Sequence, residues 1–203
     1  MKKRILIVLM AALPIIMLAN AVFADDHEWK GFHGEYAMTL AGFCLFSTST
    51  FSPGYPACDG SAEGNALTCW NAQIVAEGIW SFKSGGKGSF IGSQYGMAPP
   101  PYPYPNVLPA DLEFDFTYQV TKDGELTAAI VPGTFVGTWL AGSNAGKTYT
   151  VDIFNFFGMV SKDRKTITLN SNANDLQNFT SAATGMNIYG RCNLSRTLIQ
   201  IGN

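Results

Sequence analysis

The stretch Leu112-Glu113-Phe114-Asp115-Phe116-Thr117-Tyr118-Gln119-Val120 carries the clearest periodicity in the chain. Its even positions are apolar or aromatic and its odd positions are polar up to Gln119. A period of two marks a half-buried strand with one wet face. Thr121-Lys122-Asp123-Gly124 follows with turn chemistry, because glycine accepts a positive φ without steric cost. Leu126-Thr127-Ala128-Ala129-Ile130 then returns as the partner strand.

Similar hairpins lie on both sides. Ile74 to Phe82 meets Ser89 to Ile91 across Gly85-Gly86, and Thr134 to Leu140 meets Thr148 to Phe157 across the segment from Gly142 to Gly146. Val160 meets Thr166 to Leu169 across Ser161-Lys162-Asp163-Arg164. Gly34 to Phe46 opens the series, and Asn187 to Ile201 closes it with a kink expected near Asn193-Leu194-Ser195. One short helical turn is expected within Ala62 to Ala76. Turn signals at hairpin spacing predict roughly eight to ten strands. The fold class is therefore all-β. A closed antiparallel up-and-down barrel manages its strand edges best, with a two-sheet sandwich as the alternative.

The chain has 203 residues, 47% hydrophobic, 13% aromatic and 14% charged. That length suits one domain, and the composition excludes disorder as the main state. Residues 1–24 read as a secretory signal peptide. Lys2, Lys3 and Arg4 precede an apolar run from Ile5 to Leu18, and small residues end it at Ala24. Residues 25–203 are then one barrel domain, exported to the periplasm or the extracellular space. Removing Lys2, Lys3 and Arg4 leaves 10 basic residues against 15 acidic ones, from the 13 and 15 of the whole chain. A mildly acidic protein of this kind is not expected to bind nucleic acid. No other apolar run is long enough for a helical membrane span.

Four cysteines in an exported chain predict disulfides, with three pairings open. Cys58–Cys69 would close a local loop, and Cys44–Cys192 would tie an early strand to the last. Neither spacing resembles a zinc site, so no metal is expected.

Catalytic chemistry is sparse. The two histidines, His27 and His33, lie near the expected new N-terminus. Asp111, Glu113 and Asp115 share the wet stripe of their strand, and Glu77 alternates outward against Ala76, Gly78 and Trp80. No phosphate-binding loop or other cofactor motif is present. No catalytic residue is assigned, and an enzyme is disfavoured. The segment Pro99-Pro100-Pro101-Tyr102-Pro103-Tyr104-Pro105 cannot join a ladder and reads as an extended crossover.

What remains is an aromatic interior. Alternation places Tyr36, Met38, Trp80, Phe82, Phe114, Phe116, Tyr118 and Leu126 on one side. These side chains either fill the barrel or line a pocket.

The chain resembles lipocalin-like, calycin-type barrels, and in particular small exported bacterial barrels. Gly34-Glu35-Tyr36 opens the first strand and Cys44 ends it. The Lys122-Asp123-Gly124 hairpin, the hairpin from Ser161 to Leu169, and the closing Arg191-Cys192-Asn193-Leu194-Ser195-Arg196 complete the likeness. Tyr36 stands where lipocalins carry tryptophan, and Arg191 or Arg196 is the candidate for their basic residue near the last strand. The resemblance implies a barrel with an apolar cavity and no particular reaction.

The leading expectation is a carrier of a small apolar ligand, with Trp80, Phe82, Phe114, Phe116, Tyr118 and Trp139 lining the pocket. One alternative is a filled structural barrel, forming homo-oligomers through strand edges or the Pro/Tyr loop. Another is an isomerase or cyclase that uses a cavity carboxylate.

Overall fold

The computed structural model describes residues 32–47, 69–97, 107–152, 154–171, 176–182, 185 and 187–202. Eleven strands occupy them: β1 Gly34–Ser47, β2 Cys69–Lys83, β3 Lys87–Met97, β4 Val107–Val120, β5 Glu125–Ile130, β6 Val136–Trp139, β7 Thr148–Val151, β8 Asn155–Val160, β9 Thr166–Ser171, β10 Gln177–Ser181 and β11 Asn187–Ile201. Neighbours pair antiparallel in the order β1-β2-β3-β4-β5-β8-β9-β11, and β11 pairs again with β1. The result is a closed eight-stranded barrel. The remaining strands, β6, β7 and β10, form a second bridge from β4 to β11.

The two bridges continue one another. β4 pairs with β6 through Ala110–Glu113 and with β5 through Phe116–Val120. β11 pairs with β10 up to Gly190 and with β9 from Ser195. Five long strands therefore run the full height, and three short strands close each half. One rim carries the tight turns after β2, β4 and β8. At the other rim β1 and β3 end and β2 and β4 begin.

Each break in a short strand strands backbone groups on its long neighbour, and a hydroxyl takes them over. Asp115 N–H donates to Thr134 Oγ1 at 3.0 Å, and Thr134 Oγ1 donates to Val131 O at 2.8 Å. On the far side Leu194 N–H donates to Ser171 Oγ at 3.0 Å, and Ser171 Oγ donates to Cys192 O at 3.0 Å. Buried backbone groups need such partners, since an unpaired one costs a lost hydrogen bond.

The alternation read from Leu112 to Tyr118 holds: the even residues are buried and Asp111, Glu113, Asp115 and Thr117 are exposed. Gly88 lies opposite Phe116 in the ladder, and a Cβ at Gly88 would collide with the Phe116 ring. The missing side chain is what lets that ring lie flat against the wall.

Three expectations change. Cys69 to Ala76 belongs to strand β2, because the segment completes the register opposite β1 from Ser47 down. Any helical turn would fall in residues 62–68, outside the described residues. Thr148 to Phe157 is not one strand: β7 pairs with β6, whereas β8 pairs with β5 and β9. The ladder from β11 to β1 runs unbroken through Asn193, Leu194 and Ser195. At that point β11 exchanges β10 for β9 as its other neighbour.

Candidate functional site

The interior divides into a filled end and a hollow one. At the tight-turn rim, Phe32, Tyr36, Phe82, Phe116 and Tyr118 form a plug. Phe82 is the hub, with ring centroids 5.2 Å from Phe32, 5.4 Å from Tyr36, 5.2 Å from Phe116 and 5.0 Å from Tyr118. Near-perpendicular contacts of this kind bring a positive ring edge to a negative face. Polar tips are satisfied at the periphery. Tyr118 Oη lies 2.6 Å from Phe32 O and 2.8 Å from Lys83 O, so its single proton is shared between two carbonyls, and Tyr36 Oη donates to Arg164 O at 2.7 Å. Burial pushes the Tyr118 hydroxyl up to about 12, and it also raises Tyr36.

Beyond the plug lies a cavity of about 60 Å³. Its wall includes Met38, Trp80, Phe90, Leu112, Phe114, Phe135, Phe154, Phe156 and Phe179. Trp80 marks the boundary. Its ring centroid is 4.6 Å from Phe116 on the plug side, and its indole N–H points to Met38 Sδ at 3.1 Å.

Three polar side chains join this apolar wall: Gln94, Gln177 and Arg196. Gln177 is 1% exposed, and both atoms of its amide lack a hydrogen-bond partner. Arg196 is 5% exposed and occupies an inward position of β11 between Leu194 and Leu198. Its guanidinium carbon lies 4.6 Å from the Phe156 ring centroid and 5.3 Å from that of Phe154. Its Nη1 donates to Leu194 O at 3.4 Å. Burial draws its pKa down to about 9, so the group stays charged at neutral pH. No aspartate or glutamate is among the described buried side chains.

The six residues expected to line a pocket separate accordingly. Trp80 and Phe114 border the cavity, whereas Phe82, Phe116 and Tyr118 belong to the plug. Trp139 is half-buried and stacks on Tyr149 at 4.6 Å. The expected Cys44–Cys192 bond is present, between residues directly opposite in β1 and β11. Cys58 lies outside the described residues, as do His27 and the Pro/Tyr segment 99–105. His33, Glu77, Asp111, Glu113 and Asp115 are exposed. The carboxylates among them face away from the cavity, so none serves as the acid an isomerase would need there.

Gln177 was not among the expected site residues, and Arg196 entered only through the resemblance, as a candidate for the basic residue near the last strand. Arg196 had a detectable signal: a cation in the apolar phase of Cys192-Leu194-Arg196-Leu198. Gln177 had none, because β10 is too short for an alternation to show.

The fold defines a class, the closed antiparallel eight-stranded barrel, compatible with a lipocalin-like arrangement. No known protein family, curated protein or solved structure matches the chain. Among the described residues no helix is long and apolar enough to cross a membrane.

Proposed function

We propose that this chain is an exported, lipocalin-like barrel that holds a small, mostly apolar ligand in the half of its interior away from the plug. The carrying observation is Gln177. A buried amide without any partner costs about 1 to 3 kcal/mol, and an apolar residue there would avoid that cost. A ligand in the cavity would satisfy it. Export is supported by the signal-like residues 1–24 and by the Cys44–Cys192 bond, which suits an oxidising compartment.

A second reading is a filled structural barrel. It is favoured by the cavity's size, since about 60 Å³ is well under the roughly 150 Å³ of a cavity that holds benzene. Closure argues against association through strand edges, because β1 and β11 pair with each other.

Native mass spectrometry separates the two. Protein purified from its exported fraction should carry an extra mass that organic extraction removes. A clean protein mass in every preparation would overturn the ligand-binding reading.

A further inference from the structure

We infer that the cavity is built for an anion, a short unbranched carboxylate whose head pairs with Arg196 and whose chain lies along the barrel axis toward Gln177. The inference rests on the ligand-binding reading above and specifies its chemistry.

Three observations converge. First, Arg196 brings a fixed positive charge into an apolar wall, with only aromatic faces and one carbonyl recorded around it. Ring faces attract a cation but leave most of the five guanidinium N–H donors unused. A carboxylate accepts two of them side by side, and no described side chain in the interior offers one. Arg196 also leans the right way, since Phe154 and Leu194 lie on the cavity side of its own level.

Second, the lining is elongated. Gln177 pairs with Gly190, six residues along β11 from Arg196. Six strand residues span roughly 20 Å at about 3.3 Å each, less the inward reach of the two side chains. The cavity that both residues line is small, about 60 Å³. It admits a zigzag hydrocarbon chain more readily than a ring. A benzene-sized cavity is roughly 150 Å³.

Third, Arg196 and Gln177 stand at opposite ends, with Phe114, Phe135 and Val151 among the apolar residues that join them, and Gln94 as the other polar residue, in the lining. This order matches a molecule with a charged head and an apolar body. The unpaired Gln177 amide then hydrogen-bonds to water that fills the lining beyond the end of the chain.

The test titrates the oxidised, exported full chain with butyrate, butyramide, 1-butanol and benzoate, followed by calorimetry. Butyrate should bind one site at least tenfold more tightly than butyramide or 1-butanol, and more tightly than benzoate. Arg196→Met should abolish the preference for butyrate over butyramide. Arg196→Lys, which keeps charge but loses the planar fork, should retain part of it and serves if the methionine variant fails to fold. Gln177→Leu should weaken butyrate by only a few-fold.

If 1-butanol binds as tightly as butyrate, or if Arg196→Met keeps the preference, the anion site is wrong and the apolar carrier survives. If benzoate binds more tightly than butyrate, the slender-chain part is wrong. If none of the four probes binds, both the anion site and the ligand-binding reading fall.

Discussion

The guanidinium of Arg196 lies over the Phe156 ring, 4.6 Å from its centroid, inside a barrel whose described interior holds no carboxylate. A charge so placed costs desolvation that a ring face offsets only in part. Arg196→Met, of similar length and apolar, should therefore raise folding stability by about 1 kcal/mol or more. The sign of its pH dependence follows from the lowered pKa. The charged form is disfavoured in the folded state, so the cost is full below about pH 9 and eases as the guanidinium deprotonates above it. The gain from methionine should be flat below pH 9 and shrink above. Urea denaturation across that range measures it. A loss of more than about 2 kcal/mol would make Arg196 a structural post instead.

Ser171 repairs the backbone of β11 where β9 ends. Ser171→Ala leaves Leu194 N–H and Cys192 C=O without that partner in a buried place. The expected loss is about 1 to 3 kcal/mol. Hydrogen exchange should locate it, with faster exchange at Leu194 than at Leu198. Unchanged protection at Leu194 would show that the gap is bridged otherwise.

Cys44 and Cys192 join strands 148 residues apart in sequence. Chain entropy alone assigns such a crosslink about 4 to 5 kcal/mol. The double variant Cys44→Ala, Cys192→Ala should unfold at clearly lower urea with a larger dependence of free energy on denaturant. Both sulfurs are buried, so reductant should act only under unfolding conditions. Rapid reduction in native buffer would contradict a closed seam between β1 and β11.

The tyrosines predict behaviour in alkali. Tyr118 is pushed up to about 12 by burial, and Tyr36 and Tyr149 are raised for the same reason. The unfolded chain releases these protons near pH 10 while the folded chain keeps them. Stability from these groups is thus full below pH 10 and is lost as pH rises through 12. Phenolate absorbance should show a late, cooperative step that coincides with loss of near-ultraviolet circular dichroism. Gradual ionisation of all tyrosines near pH 10 with the fold intact would refute a closed plug.

The sequence declared the strands through alternation, and the staves of the barrel were legible wherever a strand was long. Leu112 to Val120 shows this best, because nine residues give a period of two room to repeat. The splits were not legible. Thr134 and Ser171 look like ordinary strand residues, and only the register of β4 and β11 reveals the gaps they fill. For the same reason Thr148 to Phe157 read as one strand: a break at mid-barrel leaves hydrophobicity unchanged on both sides. The aromatic interior was visible, but not its division. Phe82 and Phe114 have the same inward phase, and only their height in the barrel separates plug from cavity. Arg196 broke the alternation of β11, whereas Gln177 gained its meaning solely from burial.

Chemical-shift mapping with butyrate on isotope-labelled protein locates the ligand residue by residue. A ligand in the cavity shifts Leu112, Val151, Gln177, Leu194 and Arg196, and the Trp80 indole N–H, and leaves Phe82, Phe116 and Tyr118 unmoved. Shifts centred on the plug, or none at any interior residue at saturating butyrate, would contradict a ligand site in the cavity.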